Sequence, residues 1–301
     1  MVSRKLALLL MLALFTAACQ PETPVPETPA ATPTPVLADT PTPAETAAPT
    51  DTATPELTLT PASTSTPETT PTGTPTAASP ERPEESILIL EPGTGSRVTS
   101  PIRVAGISDP TFEQTLVVRA ILDDGTELVV VPTTIQADIG ERGEFEAEVP
   151  IELTEERNIF LQVYATSARD GGITHLSSTV VMYTPTGPQE ITSQEPHPEQ
   201  IAIFQPQIAE TIRGGVARVE GFGLASFEQT LVAEVLDADG NVIGMEPITV
   251  QAPDLGIPGP FSAEVSYTLS EAGPGRIVVR DISPAHGDNT HLSSVEVNLE
   301  P

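Results

Sequence analysis

The heptapeptide Gly143-Glu144-Phe145-Glu146-Ala147-Glu148-Val149 decides the fold of this 301-residue chain. Apolar and acidic side chains alternate strictly along it, which is the period of a β-strand with one buried face and one solvated face. The segment GPFSAEVSY at 259–267 shows the same alternation further along the chain. Both stretches therefore predict half-buried strands.

The alternating segments belong to an internal repeat of roughly 115 residues. Two blocks recur unchanged, FEQTLV at 112–117 and 227–232, and THLSS at 174–178 and 290–294. The segment ILILEP at 87–92 also aligns with IAIFQP at 201–206. Identical blocks in the same order indicate an internal duplication rather than chance.

Each repeat predicts about seven short strands within roughly 100 residues, a pattern typical of a β-sandwich. Further strands of the first copy are predicted at 87–91, 101–106, 114–122, 126–131, 158–166 and 176–183. The Asp-Gly pairs at 124–125 and 239–240 predict hairpins with type I′ turns, which need positive φ. The fold class is therefore all-β, with two tandem immunoglobulin-like β-sandwiches at 86–185 and 199–301 and an interdomain linker at 186–198.

The repeat also predicts which side of the last strand is buried. Val180 and Met182 align with polar residues of the second copy, whereas the alternate positions stay apolar in both copies. The residues predicted to face the core are Val181, Tyr183, Val297 and Leu299.

The N-terminus predicts where the protein is sent. Residues 1–18 combine Arg4 and Lys5 with an apolar run from Leu6 to Phe15, which is too short to span a bilayer and is typical of a secretory signal peptide. The following Thr16-Ala17-Ala18-Cys19 resembles the lipobox of bacterial lipoproteins, which implies lipidation of Cys19. We therefore expect an extracytoplasmic protein that a lipid anchor holds at the bacterial cell membrane. The alternative is a secreted protein with a chance cysteine.

Residues 19–85 predict a disordered, Pro/Thr-rich linker between the anchor and the sandwiches. From Gln20 to Glu85, 16 of 66 residues are proline and 19 are threonine. Such a segment lacks the apolar surface that would offset the entropy of ordering it, and its prolines favour extended polyproline II. We interpret it as a semi-rigid spacer.

The charge and the cysteine count exclude several classes of function. The chain has 13 basic and 42 acidic residues, a formal net charge of −29, and a single cysteine. So negative a chain lacks the clustered basic residues that bind nucleic acid or anionic lipid headgroups. One cysteine excludes a disulfide framework and a multi-cysteine zinc site.

Each repeat carries a histidine, a serine and an acid close together in sequence. They are Asp170, His175 and Ser177 in the first copy, and Asp288, His291 and Ser293 in the second. A hydrolytic triad needs these groups to converge from different elements, whereas here they share one turn and strand. We therefore predict a structural role, tying the start of the strand to its loop. The alternative is a metal-binding pair of histidines across the two domains. We predict no catalytic, cofactor-binding or metal-binding residue in this chain.

Two further motifs predict structural roles. The segment Asp237-Ala238-Asp239-Gly240-Asn241 resembles the start of a calcium loop but lacks the later glutamate, so we predict a hairpin turn and at most weak divalent cation binding. For Phe112-Glu113 and Phe227-Glu228, we predict that the ring anchors a loop to the core while the carboxylate caps backbone N–H groups. The alternative is a ligand-facing pair.

A series of turn and strand residues marks the first repeat: Pro92, Pro101-Ile102-Arg103-Val104-Ala105-Gly106, Phe112-Glu113, Asp123-Asp124-Gly125, Gly143-Glu144-Phe145 and Asp170-Gly171. This series resembles the immunoglobulin-like domain of bacterial spore germination proteins. The second repeat departs from it at Gly214-Gly215-Val216 and His286-Gly287-Asp288. The resemblance implies a noncatalytic, extracytoplasmic module and does not by itself imply a role in sporulation.

Together these observations predict a noncatalytic surface lipoprotein with two modules for protein interaction or structural spacing in the envelope. The expected partners are the membrane, through the lipid anchor, and envelope or extracellular proteins that pair with exposed edge strands. No cofactor and no nucleic acid are expected. The alternatives are a cell-wall or polysaccharide-binding module, disfavoured by the absence of tryptophan, and a germination-related accessory protein.

Overall fold

The computed structural model describes residues 81–301. The predicted signal peptide, Cys19 and most of the predicted disordered linker lie outside the described residues. The first repeat forms β1 (Ile87–Glu91), β2 (Arg97–Val98), β3 (Ile102–Ser108), β4 (Thr115–Leu122), β5 (Glu127–Gln136), β6 (Gly143–Val149), β7 (Arg157–Thr166) and β8 (Ile173–Tyr183). The second forms β9 (Ile201–Gln205), β10 (Thr211–Ile212), β11 (Val216–Gly223), β12 (Thr230–Leu236), β13 (Val242–Thr249), β14 (Gly259–Ser266), β15 (Gly273–Ile282) and β16 (Asn289–Leu299). Within 81–301, no helix has the length and apolar character needed to cross a membrane.

Each repeat is a β-sandwich, as predicted. In the first, β1, β3 and β6 form one layer and β5, β4, β7 and β8 the other. In the second, β14, β11 and β9 face β13, β12, β15 and β16. Each sandwich encloses its own apolar core, in which Phe145 and its counterpart Phe261 are buried.

The predicted strand phases are confirmed. Phe145, Ala147 and Val149 are buried while the intervening glutamates are exposed, so the alternation reports the two faces of β6. Near the end of the last strand of each domain, Val181, Tyr183, Val297 and Leu299 are buried, as predicted. Val180 and Met182 are only partly buried.

Both Asp-Gly hairpins form, but their turn type differs from the prediction. Gly125 and Gly240 have φ of 83° and 81°, whereas Asp124 and Asp239 are not among the residues with positive φ. In the first hairpin, the Gly125 N–H donates to the carbonyl of Leu122 at 3.0 Å, and the register shifts beside it. These features fit a type I turn followed by a left-handed glycine, in which only the glycine needs positive φ.

The segments before each domain are bound to the sandwiches. The predicted disordered linker ended at Glu85, but the Glu85 N–H already donates to His197 O at 3.1 Å, and the Glu199 N–H donates to Pro83 O at 2.8 Å. The ordered region therefore begins before Glu85, because 83–85 and 197–199 pair with each other. Within the predicted interdomain linker, Glu190 exchanges two 2.9 Å backbone hydrogen bonds with Arg97.

The two sandwiches share one continuous sheet. Strand β8 pairs antiparallel with β16, with Leu176 opposite Leu292, and this contact joins the β5-β4-β7-β8 layer to the β16-β15-β12-β13 layer. Leu176, Leu292 and Val278 are buried together beneath it. Sheet pairing and apolar burial therefore hold the two domains together.

Candidate functional site

The contacts at the domain junction come in matched pairs, because the two repeats meet about an approximate two-fold axis. The Ser178 hydroxyl donates to the carbonyl of Thr290 at 2.7 Å, and Ser294 donates to the carbonyl of Thr174 at the same distance. Ser178 and Ser294 are equivalent positions of the two repeats, and so are Thr174 and Thr290, so the same contact occurs once in each direction across the junction. The duplication has produced an interface like that of a symmetric dimer within one chain.

Four side chains converge on this axis, and we call Glu85, His175, Glu199 and His291 the axial cluster. His175 Nε2 lies 3.1 Å from Glu85 Oε1 and 3.5 Å from Glu199 Oε1. His291 Nε2 lies 3.1 Å from Glu199 Oε1 and 3.6 Å from Glu85 Oε1. The four ligand-type atoms all lie within 4.8 Å of one another.

Both carboxylates of the axial cluster are held by further hydrogen bonds. Oε1 of Glu85 accepts from the Ser177 hydroxyl at 2.9 Å, and Oε2 accepts from the Gln200 N–H at 2.9 Å. Oε1 of Glu199 likewise accepts from Ser293, and Oε2 from the Ser86 N–H, both at 2.9 Å. In each glutamate, Oε1 thus accepts a hydrogen bond from a serine of its own domain, and Oε2 accepts one from the backbone of the other domain.

The axial cluster is buried and electrostatically coupled. Glu85, Glu199 and His291 have exposed fractions of 1%, 4% and 2%. Burial by itself would raise the pKa of both glutamates, but the charges and hydrogen bonds of the two histidines lower the pKa of each carboxyl below its usual value. Burial likewise opposes the charged form of His291, yet the charge of Glu85 and the hydrogen bond to Glu199 raise its pKa.

The flanks of the junction use different chemistry at equivalent positions. On one side, the Arg276 guanidinium donates to Asp170 at 2.5 Å, and both side chains are almost fully buried. On the other side, the corresponding residues are Phe160 and His286, whose rings pack edge to face with centroids 4.5 Å apart. At these equivalent positions, one flank therefore has a buried ion pair and the other an aromatic contact.

The His, Ser and Asp residues singled out from the sequence do not form triads. His175 and Ser177 share the Glu85 carboxylate, whereas Asp170 lies across the junction with Arg276. The predicted contact of the histidines with their own loop is wrong, because His175 and His291 lie against the axial glutamates instead. Glu85 and Glu199 were missed, although each stands two residues before the first apolar strand of its repeat.

The prediction that Phe112 and Phe227 anchor loops to the core is wrong. Their side chains are 58% and 47% exposed. Gln114 holds the first loop instead, since its amide nitrogen donates to the carbonyls of Asp138 and Glu141, both at 3.0 Å. Glu113 has φ of 55° and Gln114 of 54°, so the loop after Phe112 contains two residues in the left-handed region.

The calcium-like segment is a hairpin turn, as predicted. Asp237 Oδ1 accepts from the Asp239 N–H at 3.0 Å and from the Asn241 N–H at 2.9 Å. The carboxylate is therefore occupied by the backbone of its own turn. Asp124 serves the first hairpin in a similar way by accepting from the Thr126 N–H at 2.9 Å.

The family described as the immunoglobulin-like domain of bacterial spore germination matches residues 86–172 and again residues 200–288, more than half of the chain. The chain belongs to this family. No curated protein matches the chain at a significant level. All four residues of the axial cluster lie just outside the two matched ranges, so the cluster is built from residues that flank them.

Solved structures resemble the chain only distantly. They include a red sea bream transglutaminase, with 12% identity, a TM-score of 0.27 and coverage of 73% of this chain and 32% of that one. A chimeric titin Z1Z2 tandem has 14% identity and a TM-score of 0.21, and covers 72% of this chain and 98% of its own. The chain thus spans about a third of the transglutaminase, and scores this low carry no functional argument.

Proposed function

We propose that the protein is a noncatalytic lipoprotein of the bacterial cell surface whose paired immunoglobulin-like domains bind other envelope or extracellular proteins. The lipobox-like Thr16-Ala17-Ala18-Cys19 and the Pro/Thr-rich segment after it support the anchored, extended presentation. Membership of an immunoglobulin-like family supports an interaction module. The loop end of each domain supplies the observation on which the proposal depends.

The loop end comprises residues 109–114 and 137–142 in the first domain, and 224–229 and 250–258 in the second. Each loop end exposes an aromatic and an aliphatic side chain at equivalent positions: Phe112 at 58% and Ile139 at 90%, Phe227 at 47% and Leu255 at 70%. Gln114 and Gln229 tie the two loops of each end together. Exposed apolar groups on two loops that are hydrogen-bonded to each other favour a protein-binding surface.

The outer strands of the two four-stranded layers, β5 and β13, support this choice, because each carries a proline and β5 also pairs with β6 at Ile135 and Gln136. Pro132 lies in β5 opposite Val117, and Pro247 lies at the equivalent position of β13 opposite Val232. Proline has no N–H to donate, and edge prolines discourage a further strand from adding to a sheet. We therefore favour binding at the loop ends over the edge-strand pairing expected from the sequence.

Site-specific photocrosslinking on intact cells tests the proposed surface. A photoreactive amino acid placed at Phe112 or Phe227 is expected to crosslink to a protein partner. The matched control places the same group at Val130 or Met245, which are 43% and 57% exposed on the outer edge strands. Crosslinks only from the edge positions, or none from any position, would contradict binding at the loop ends, and crosslinks to wall polysaccharide would favour the alternative.

The anchor is tested separately by labelling cells with a radioactive fatty acid. The unaltered protein is expected to incorporate the label and to fractionate with membranes. The Cys19→Ala variant is expected to lose both properties, because no other cysteine is present. Equal labelling of the two proteins would rule out lipidation at Cys19.

A further inference from the structure

We infer that the axial cluster binds one Zn²⁺ ion, held by Nε2 of His175 and His291 and by Oε1 of Glu85 and Glu199. Each domain supplies one imidazole and one carboxylate, so the ion would link the two domains at their axis. Zn²⁺ takes nitrogen and oxygen ligands in four-coordinate sites, and four protein ligands close such a site to substrate. The expected role is therefore structural.

The nitrogen–oxygen spacing of the axial cluster is close to that of a zinc site, and no two of its four ligand atoms are more than 4.8 Å apart. With bonds of about 2.0–2.1 Å, a tetrahedral zinc site has ligand–ligand separations of about 3.3 Å. The four nitrogen–oxygen separations of the axial cluster are 3.1, 3.5, 3.1 and 3.6 Å. A hydrogen bond from each Nε2 to one carboxylate oxygen accounts for the two separations of 3.1 Å. It does not account for the second oxygen, which lies within 3.5 or 3.6 Å of each Nε2.

The charge of the site also favours a divalent cation. Two almost fully buried carboxylates meet here, and burial of charge requires compensation. Two imidazolium ions would supply it only by facing each other, with ring centroids 5.4 Å apart. A single Zn²⁺ supplies the same charge midway between the carboxylates and leaves both imidazoles neutral, which is the form that coordinates metals.

The surroundings orient the carboxylates as metal sites require. The hydroxyls of Ser177 and Ser293 donate to the Oε1 atoms, and backbone N–H groups hold the Oε2 atoms, so Oε1 faces the axis in both glutamates. Such outer hydrogen bonds fix the direction of a metal ligand and tune its basicity. Both glutamates and both serines follow the two-fold arrangement.

The cluster also has an entry path for an ion. The side chain of His175 is 14% exposed, unlike that of its counterpart His291. It lines a cleft of about 660 Å³ together with Phe112, Arg169 and Ile208. A hydrated ion therefore reaches the cluster from the His175 side.

Zinc titration of the full chain tests this inference, with Cys19→Ser in every sample so that the thiol does not bind metal. We expect one Zn²⁺ per chain after dialysis, measured by elemental analysis, and a thermal midpoint that rises with added zinc. Co²⁺ in place of Zn²⁺ is expected to give the intense visible bands of a tetrahedral site. Zinc content near zero, or a Co²⁺ spectrum of octahedral type, would overturn the inference even if every variant failed to fold.

Matched variants locate the ion. Glu85→Gln with Glu199→Gln is expected to abolish stoichiometric binding, whereas Asp237→Asn with Asp239→Asn removes the same charge from a surface turn and is expected to leave binding unchanged. Ser177→Ala with Ser293→Ala is expected to weaken binding about 10- to 100-fold. Equal losses in the glutamate and aspartate variants would mean nonspecific attraction to an acidic protein, and would refute the site.

Discussion

The two flanks of the domain junction occupy equivalent places and are built differently. Arg276 and Asp170 form a buried ion pair on one flank, with side-chain exposures of 0% and 1%. Phe160 and His286 fill the same positions on the other flank with an edge-to-face ring contact. At the axis itself, by contrast, the repeats have kept the same glutamate, histidine and serine.

This difference shows which part of the interface demands particular chemistry. In the axial cluster, each histidine lies close to the glutamates of both repeats. A change in one repeat therefore affects the contacts of both repeats. On the flanks, Arg276 contacts Asp170, whereas the equivalent Phe160 contacts His286, so the two pairs have no residue in common. The two flanks have therefore been free to diverge. Neither Arg276 nor Asp170 can be replaced alone without cost, because loss of one member leaves the charge of the other buried and unpaired.

The largest expected effect comes from breaking the ion pair. Asp170→Asn removes the carboxylate from the buried Arg276 guanidinium and is expected to lower the free energy of unfolding by about 3 kcal/mol. The value lies at the low end of the usual range because Arg276 keeps its 2.9 Å hydrogen bond to Glu296. Urea unfolding measures it.

Asp288→Asn provides the control for that experiment. Asp288 pairs with Arg119 across the junction at 3.1 Å, but both side chains are partly exposed. A partly exposed pair contributes at most about 1 kcal/mol. Equal effects of the two substitutions would mean that burial does not distinguish these ion pairs.

The same ion pair predicts a dependence on pH. Burial would raise the pKa of Asp170, but the hydrogen bond from Arg276 and the Gly172 N–H outweigh it and lower the pKa to about 2. Because this lies below the ordinary value of about 3.9, the contribution of the pair is complete at higher pH and is lost as the pH falls through the folded-state pKa. The stability difference between the unaltered protein and Asp170→Asn should therefore shrink from about pH 5 to about pH 3. A constant difference in urea titrations would contradict the low pKa.

The aromatic flank is expected to contribute less. Phe160→Ala removes a partly buried ring and its contact with His286, which should cost about 1–2 kcal/mol in urea unfolding. Phe112→Ala serves as the control, because its ring is 58% exposed and its loss should change stability by no more than about 0.5 kcal/mol. A cost for Phe160→Ala as large as that of Asp170→Asn would show that the flanks contribute alike.

The smallest effect is expected when the ion-pair flank is made like the aromatic one. In the double variant Asp170→His, Arg276→Phe, the new rings take the positions that Phe160 and His286 occupy in the other repeat. His286 Nδ1 accepts from the Asp288 N–H at 3.2 Å, just as Asp170 accepts from the Gly172 N–H at 2.9 Å, so the turn keeps its hydrogen bond.

Replacing a buried ion pair with well-packed apolar groups is often close to neutral, so the double variant should lie within about 1 kcal/mol of the unaltered protein. Either single substitution alone should be clearly destabilising in the same urea assay. A double variant as unstable as Asp170→Asn would mean that the two flanks are not interchangeable.

Some local features were predictable and others were not. The alternation around Phe145 predicted its strand, because burial on one face of a sheet repeats every second residue. The Asp-Gly pairs predicted the hairpins but not their turn type, since a left-handed glycine serves more than one kind of turn. The prediction for Phe112 was wrong because apolar character gives only a tendency toward burial, and its ring is 58% exposed.

The sequence by itself determined the two sandwiches, their strand phases and their hairpins, because these depend on neighbours a few residues apart. Only the tertiary structure decided the junction. Glu85 meets His175 and Gln200, which are 90 and 115 residues away along the chain, and no local pattern encodes such a contact. The duplication made two copies of the same surface, and the way those copies pack together brought their glutamates and histidines to one axis.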